Sequence, residues 1–427
     1  MMFENVLPYS KKLDDGLIMK SVSSIEDVEK LVSFTKLIHG EESDARLIKT
    51  LILDHPYSKP DYFLFIENEK ENTIVSSLCL IPWIWRYKEV EIKTGEMGFV
   101  GTLKEYRNKG LIRLLNKRFV ELLRRDEFFM SHIQGIAFFY KQFGYEYAIP
   151  LEGGFRIDPH YIEDILVAKS QKIKFHLATT VDIPILESLY KKSALEFDIT
   201  SIRETKIWDF LLGPAMSCDP TMEIWNILDE NDNIIGYFRI TQVGFGEGLI
   251  LSEVSNLSYV MAQAVLKRLK DLCKKYNKPF IRLNIHQNTT LTKVALNLGA
   301  INLEHYAWQI KIVDLKKFVE RVSNIFEKRI KSSVFENLTE KILINLYRMA
   351  IELNFIGGKI KNIDFVQFSK DNGLLRIPPN LFIPLILGYY SREDLVQHHH
   401  DFLYDKKDKL LIDILFPKVD SFIYSIY

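Results

Sequence analysis

The hydrophobic pattern of the first 158 residues alternates between two periods. In residues 25–40 and 110–125 apolar residues recur at helical spacing, which predicts two amphipathic helices. Residues 61–102 instead alternate apolar and polar positions through about three strands, interrupted by the turn-like sequences NEKEN and RYKE. A strand, a short helix and a further strand follow in residues 128–158. We expect an antiparallel meander that leads into a long helix.

Two local signals support the helices. Ser24 is placed to cap the first helix, and Asp27 stands where the acidic partner of a capping box would be. The second helix carries its apolar residues on one face, away from its basic residues, which predicts that this face is buried. The predicted buried positions are Leu111, Leu115, Phe119 and Leu122.

The same order of elements recurs in residues 172–314. A second alternating meander spans residues 221–254, and a long helix, a strand and a short helix come after it. The segments FYKQFGY, residues 139–145, and ALNLGAI, residues 295–301, occupy equivalent places. We therefore expect two structural copies of one mixed α/β unit. From residue 315 the pattern changes to that of an α+β domain, so the predicted domains are 1–157, 158–314 and 315–427.

Composition and charge narrow the class of protein. Lys plus Arg and Asp plus Glu number 56 each among 427 residues, so no global field attracts nucleic acid or a membrane. Cys79, Cys218 and Cys273 are isolated, which fits neither a disulfide framework nor a metal site and favours the cytoplasm. The sequence begins without the apolar run of a signal peptide, and its most apolar stretch, residues 380–390, is too short to span a bilayer.

The candidate chemistry begins at the junction between the meander and the long helix, in the sequence RNKG. A glycine at a helix start lets backbone N–H groups approach a ligand closely, and the helix dipole favours an anion such as a pyrophosphate. Arg107, Lys109 and Arg113 add cationic donors beside Gly110. The alternative is that Gly110 serves only the turn and that the basic residues are solvated.

Three segments together resemble the GNAT superfamily of acetyl-coenzyme A dependent N-acetyltransferases: MGFVGT, residues 97–102, then RNKG, then FYKQFGY. In the pattern [Q/R]-x-x-G-x-[G/A] of that superfamily, Arg107 and Gly110 match, and Ile112 replaces the last small residue. The resemblance implies a bulged strand that binds the pantetheine arm and a loop that binds the pyrophosphate. The implied acetyl-CoA-binding residues are Val100, Gly101, Thr102, Arg107, Asn108, Lys109, Gly110, Leu111, Ile112 and Arg113.

The whole chain resembles, more narrowly, the enhanced intracellular survival (Eis) family. The segments LGYYSREDL and LLIDILFP and the aromatic end of the chain carry this likeness. It implies two tandem GNAT folds, each a mixed central sheet flanked by helices, plus a sterol-carrier-protein-like α+β domain at the C-terminus. It also implies a homo-oligomer, and amines of aminoglycosides, polyamines or lysines as acceptors.

The resemblance assigns catalytic roles as well. It makes Tyr140 the general acid and the terminal carboxylate of Tyr427 the general base. A phenol is protonated at neutral pH and can donate to a leaving thiolate, whereas the alternative for Tyr140 is an aromatic ring that only packs. Glu96 on the central strand and a water chain stay open as alternative bases.

The expected function is therefore transfer of an acetyl group from acetyl-CoA to a primary amine of a small molecule or peptide, without metal, nucleic acid or membrane. The consecutive His398, His399 and His400 cannot all face one ion, so we expect no metal site there. Two alternatives remain. The GNAT unit could have decayed into a binding protein whose C-terminal domain carries an apolar ligand or partner, or the enzyme could use another acyl donor.

Overall fold

A computed structural model gives the structure of the protein. It describes residues 3, 8–151, 154–162, 173–244, 247–303, 306–366 and 373–427. The start of the predicted first domain therefore lies outside the described residues.

The first part of the chain builds a mixed sheet. Strands β1 to β5 pair antiparallel in sequence order, and β6 lies parallel to β5 after the crossover through α3. The predicted meander and long helix are confirmed. The strands are β1 (Ser10–Lys12), β2 (Leu17–Ser21), β3 (Phe63–Asn68), β4 (Thr73–Tyr87), β5 (Val90–Thr102), β6 (Met130–Ile133) and β7 (Glu146–Leu151), and the helices are α1 (Ile25–His39), α2 (Glu42–Leu53) and α3 (Leu111–Arg125).

The middle part repeats this order around a second sheet. Strands β11 to β13 form an antiparallel meander, and β14 returns parallel to β13 through the long helix α7. The strands are β8 (Phe155–Ile157), β9 (Lys174–Leu177), β10 (Ile199–Ser201), β11 (Glu223–Leu228), β12 (Ile234–Thr241), β13 (Leu249–Val254), β14 (Ile281–Leu283), β15 (Ile301–Asn302) and β16 (Tyr306–Ile312). The helices are α4 (Ile183–Ala194), α5 (Thr205–Phe210), α6 (Met216–Cys218), α7 (Tyr259–Lys275) and α8 (Thr290–Asn297), with a π-helical turn at Leu211–Ala215.

The two sheets exchange strands. Strand β8 lies between β14 and β15 of the second sheet, whereas β16 lies between β6 and β7 of the first. The single strand predicted for residues 145–158 is therefore two strands in different sheets. Each sheet is completed by chain from the other part, so the two parts are interlocked.

The last part forms a smaller α+β unit. Over the described residues its sheet has four strands in the order β19-β18-β17-β20. Its elements are α9 (Leu315–Lys331), β17 (Glu340–Asn345), β18 (Ala350–Ile356), β19 (Lys359–Val366), β20 (Leu375–Arg376), α10 (Pro379–Ile386), α11 (Arg392–His398) and α12 (Lys409–Leu415). The tail, residues 416–427, then returns to the first two parts, where Ser421 bridges to Ile199 at the start of β10.

Local sequence explains the helices that position the site. Ser24 caps α1 by accepting a hydrogen bond from the amide of Asp27, as predicted, while the Asp27 carboxylate accepts from the amide and hydroxyl of Ser23. In α3 the four predicted apolar positions are buried, which confirms its inner face. Of the helices in the described ranges, none is long and apolar enough to cross a membrane.

Gly154 precedes the exchanged strand β8 and gives a first prediction. Its φ is +43°, and a Cβ atom would lie 1.8 Å from the carbonyl oxygen of Leu283. Gly154→Ala is expected to lower the free energy of unfolding by about 3 kcal/mol in urea titrations, because strain and a backbone clash act together. In the control Gly40→Ala, φ is +83° but no atom lies within 4 Å, so the expected loss is about 1 kcal/mol. Equal losses would contradict this account of the exchange.

Candidate active site

The central strand β5 carries a bulge. Its register against β4 shifts between the pairs Ser77↔Gly101 and Cys79↔Gly98, and Phe99 adopts a positive φ of 49°. Strand β6 pairs with β5 only over Thr94–Glu96 in the described structure, so beyond Glu96 the two strands separate. The backbone of the predicted segment Val100–Thr102 therefore borders an opening in the sheet.

A loop and a helix start lie beside this opening. Gly110 is the N-cap of α3 with φ 75°, and Asn108 also has a positive φ, of 64°. The exposed Arg107 donates to the carbonyl of Thr102 at 3.4 Å, and Lys109 lies 4.6 Å from the ring centroid of Tyr106. Within the described residues neither side chain pairs with a carboxylate. The free amides at the start of α3 thus lie beside the positive charges of Arg107 and Lys109. This combination suits an anion.

One cleft of about 690 Å³ joins the bulge, the loop and Tyr140. Of the ten predicted acetyl-CoA-binding residues, all but Lys109 line it. Ile112 is among them, so the residue that departs from the GNAT pattern contributes an apolar wall. The remaining lining residues are Ile38, Tyr106, Ile136, Phe139, Tyr140, Gln142 and Phe143.

Tyr140 is held at the far wall of this cleft. It lies on the short 3-10 helix Phe139–Phe143 and is 6% exposed. Burial raises the pKa of Tyr140 above its ordinary value, so the phenol keeps its proton at neutral pH. Gly135 makes room for the ring, because a Cβ atom there would lie 2.2 Å from Cδ2 of Tyr140. The structure thus brings Tyr140 and the predicted acetyl-CoA residues together.

The exchanged strand β16 supports the loop that leads to Tyr140. Its buried Gln309 donates through Nε2 to the carbonyl of Gly135 at 2.9 Å, and the hydroxyl of Tyr306 donates to the same carbonyl. Sequence reasoning missed both residues. They are about 170 positions from Gly135, and no local motif marks them.

The side chain of Tyr427, the second predicted catalytic residue, contacts Glu96. The Tyr427 hydroxyl donates to Oε2 of Glu96 at 2.6 Å, and Nε2 of His132 lies 3.9 Å from the same oxygen. The ring of Trp83 packs edge-on against both Tyr427 and His132. Burial raises the pKa of Glu96 to about 7, although the hydrogen bond from Tyr427 opposes the shift. Burial also holds the pKa of His132 well below its ordinary value, so this imidazole is neutral.

The main chain of Tyr427 has different partners from its phenol. Its carbonyl oxygen accepts from Nη2 of Arg239 at 3.0 Å and from the hydroxyl of Ser425 at 2.5 Å. Arg239 belongs to β12 of the second sheet and was not predicted from the sequence as a site residue. The sequence nevertheless contained a signal for this residue: Arg239 and Glu253 are charged residues within two largely apolar strands. Such a pattern is typical of a buried ion pair.

Comparison with known proteins identifies the class. Residues 25–148 match the family described as Acetyltransferase (GNAT) domain, so this part of the chain is a GNAT acetyltransferase domain, for which acetyl-CoA is the implied co-substrate. The predicted fold class, mixed sheets flanked by helices in a GNAT-like arrangement, is confirmed. No curated protein matches the sequence.

Solved structures extend the likeness to the whole chain. A protein from Enterococcus faecalis titled "Probable N-Acyltransferase" is 14% identical, covers 99% of this chain and 100% of its own, and has a TM-score of 0.71. A GCN5-related N-acetyltransferase from Anabaena variabilis is 15% identical, with coverage of 96% and 100% and a TM-score of 0.68. Eis1 from Mycobacterium abscessus is 11% identical, with coverage of 96% and 100% and a TM-score of 0.64. At these identities the likeness establishes the fold.

The raised pKa of Glu96 predicts how stability varies with pH. The folded-state pKa, about 7, exceeds the ordinary value of 4.5, so ionisation of Glu96 costs stability. Relative to Glu96→Gln, the free energy of unfolding of the wild type is expected to fall by about 2.5 kcal/mol as pH rises from 5 to 8. Urea unfolding of both proteins at each pH measures the difference between their free energies of unfolding. Groups other than Glu96 titrate in both proteins, so their contributions cancel in this difference. A difference that stays constant with pH contradicts the assignment.

Proposed function

We propose that the protein is an acetyl-CoA-dependent N-acetyltransferase that acts on a primary amine. The observation that carries the proposal is the single cleft in which a bulged strand, an anion-binding helix start and a buried phenol meet. Each feature alone has a purely structural explanation. Because all three features lie together in a GNAT domain, a catalytic role is favoured over a purely structural one.

The residues present fit the donor substrate in two places. The amides of Gly110 to Ile112, with Arg107 and Lys109 at the rim, suit a pyrophosphate, because backbone donors lie beside cations that pair with no carboxylate among the described residues. The unpaired edge of β5 at Val100–Thr102 suits an extended amide-containing arm. Acetyl-CoA would supply the acetyl group as a thioester.

Tyr140 is the proposed proton donor. The amine forms the new N–C bond as the C–S bond breaks, and the sulfur then takes a proton from the Tyr140 hydroxyl. The amine proton goes to a base. The terminal carboxylate of Tyr427, the Glu96 carboxylate and a water remain the candidates at this stage.

The finer assignments are part of the same proposal. We assign residues 1–157 and 158–314 to tandem GNAT units, the second of which does not bind acetyl-CoA, and residues 315–427 to a sterol-carrier-protein-like domain. The proposed acceptors are aminoglycosides, polyamines or lysine side chains, and the proposed setting is a homo-oligomer in the cytoplasm. The fold shared with Eis1 supports the division into these domains.

Donor binding is the first test. Calorimetry with acetyl-CoA is expected to give binding in the micromolar range, and release of free thiol with a panel of primary amines identifies the acceptor.

Gly110→Val is expected to weaken binding about tenfold or more, because a β-branched residue disfavours φ 75° at the helix start. Gly299→Val in the second unit, φ 104°, is the control and leaves the affinity unchanged. No binding of acetyl-CoA at near-millimolar concentration contradicts the proposal.

Replacement of Tyr140 tests the proton donor. Tyr140→Phe is expected to lower kcat about 100-fold while the Kd for acetyl-CoA changes less than about twofold, since the ring remains and only the proton is lost. Tyr145→Phe is a matched control, because that buried hydroxyl bonds only to Ser131, at 2.7 Å, among the described residues. An unchanged kcat in Tyr140→Phe would assign the proton to another group.

A further inference from the structure

The loop that precedes Tyr140 has a strained backbone. Phe138 has φ 67° and ψ −31°, a combination that residues with a Cβ atom seldom adopt. The amide of Phe139 donates to the carbonyl of Ala137 at 2.8 Å, which closes a three-residue turn of the rare, strained type around Phe138. Such a conformation persists only where the surrounding structure holds it.

The same loop keeps two large apolar side chains in water. Ile136 is 70% exposed and Phe138 is 76% exposed, and Ile136 also lines the cleft. Exposed apolar surface and a strained backbone both cost stability, so burial within the loop does not explain its conformation. Backbone strain of this kind is concentrated at active sites, and this loop leads directly to Tyr140.

Side chains from two neighbouring strands hold the loop. The Tyr147 hydroxyl of β7 accepts a hydrogen bond from the amide of Phe138 at 3.0 Å. From β16, the Tyr306 hydroxyl donates to the carbonyl of Gly135, and Nε2 of Gln309 donates to the same carbonyl at 2.9 Å. The loop is thus held near both of its ends, and the hold at Gly135 comes from the exchanged strand.

Gln309 makes its hydrogen bonds in the protein interior. It is 0% exposed, and β16 places it between Ile133 of β6 and Tyr147 of β7. Its Nε2 also lies 3.3 Å from the carbonyl oxygen of Ile136 and 3.2 Å from the hydroxyl of Tyr306. A buried amide that loses its acceptors is left unsatisfied, so displacement of the loop costs more than the hydrogen bonds of the loop itself.

Gly135 connects the position of the loop to that of Tyr140. A Cβ atom at Gly135 would lie 2.2 Å from Cδ2 of Tyr140 and 3.2 Å from Nε2 of Gln309, so both side chains approach this stretch of main chain closely. The hydroxyl of Tyr140 forms no hydrogen bond with any described residue. Packing against its surroundings, including Gly135, therefore sets the position of this hydroxyl.

We propose that Tyr306 and Gln309 are positioning residues for the proton donor: they hold the strained loop at Gly135 and thereby fix the Tyr140 hydroxyl in the cleft. The inference rests on the proposed function, in which the O–H bond of Tyr140 breaks as an S–H bond forms on the leaving thiolate. A misplaced donor slows this transfer but leaves the pyrophosphate loop and the bulged strand in place. The proton donor of the first part of the chain then depends on a strand from the second part.

Limited proteolysis tests the hold on the loop without reference to activity. Chymotrypsin cleaves after phenylalanine, and cleavage after Phe138 requires the loop to open. The fragment that ends at Phe138, followed by mass spectrometry, is expected to form about tenfold faster in Tyr306→Phe than in the wild type. Gln309→Leu is expected to act in the same direction, and Tyr306→Phe, which removes one hydroxyl, covers the case in which Gln309→Leu does not fold.

Tyr259→Phe is the matched control for this proteolysis. Tyr259 begins α7, is 52% exposed, and its hydroxyl forms no hydrogen bond with a described residue. Its loss is expected to leave the rate of cleavage after Phe138 unchanged. Cleavage of folded Tyr306→Phe at the wild-type rate overturns the proposal.

A double-mutant cycle tests whether Tyr306 acts through Tyr140. Tyr306→Phe is expected to lower kcat about tenfold while the Kd for acetyl-CoA changes less than about twofold. In a Tyr140→Phe background the same substitution is expected to lower kcat less than about twofold, because the donor to be positioned is already lost. A tenfold loss in both backgrounds would make Tyr306 merely structural and overturn the inference. If the wild type acetylates no amine, the proposed function fails, and the cleavage rates still decide whether β16 holds the loop.

Discussion

The hydrogen bonds that the buried Arg239 donates to the tail are the constraint on which the arrangement of the candidate site depends. Glu253 lies 3.9 Å from Arg239 and already accepts two hydrogen bonds from Arg203, while the main-chain oxygens of Ser425 and Tyr427 accept hydrogen bonds from Arg239. The tail thereby contacts residues of both sheets. Its last ring then reaches Glu96 on the central strand, where burial makes the carboxylate a stronger base.

The two parts of the chain that exchange strands contribute different groups to the candidate site. The first part supplies the bulged strand β5, the start of α3 and Tyr140. The second supplies β16, whose Gln309 and Tyr306 hold the loop before Tyr140, and it supplies Arg239 for the tail. The loop at the start of α7 has no basic glycine segment, and side chains bind two of its amides: Ser258 caps the helix, and Ser193 of α4 accepts from the amide of Asn256. Such a loop suits a structural unit better than a second donor site.

Much of this could be predicted from the sequence, because local rules govern it. The helical period of α3, the Ser24 cap and the alternation in β4 and β5 each depend on a few neighbouring residues. The cleft residues of the loop follow from a short motif. The rest depends on long-range geometry: the exchange of β8 and β16, the contact of Gln309 with Gly135, and the orientation of Tyr427, whose phenol rather than main chain faces Glu96. The Arg239–tail contact joins positions 188 apart, and no periodicity reports such a contact.

The most direct measurement of the central claim is a crystal structure with a thioether analogue of acetyl-CoA. The account predicts that the arm of the analogue lies along Val100–Thr102, with its sulfur within about 4 Å of the Tyr140 hydroxyl. It also predicts that the Tyr427 phenol remains on Glu96 and that Arg239 remains on the main chain of Tyr427. An analogue bound outside this cleft, or a Tyr427 whose main chain has left Arg239 and turned toward the sulfur, would contradict the account.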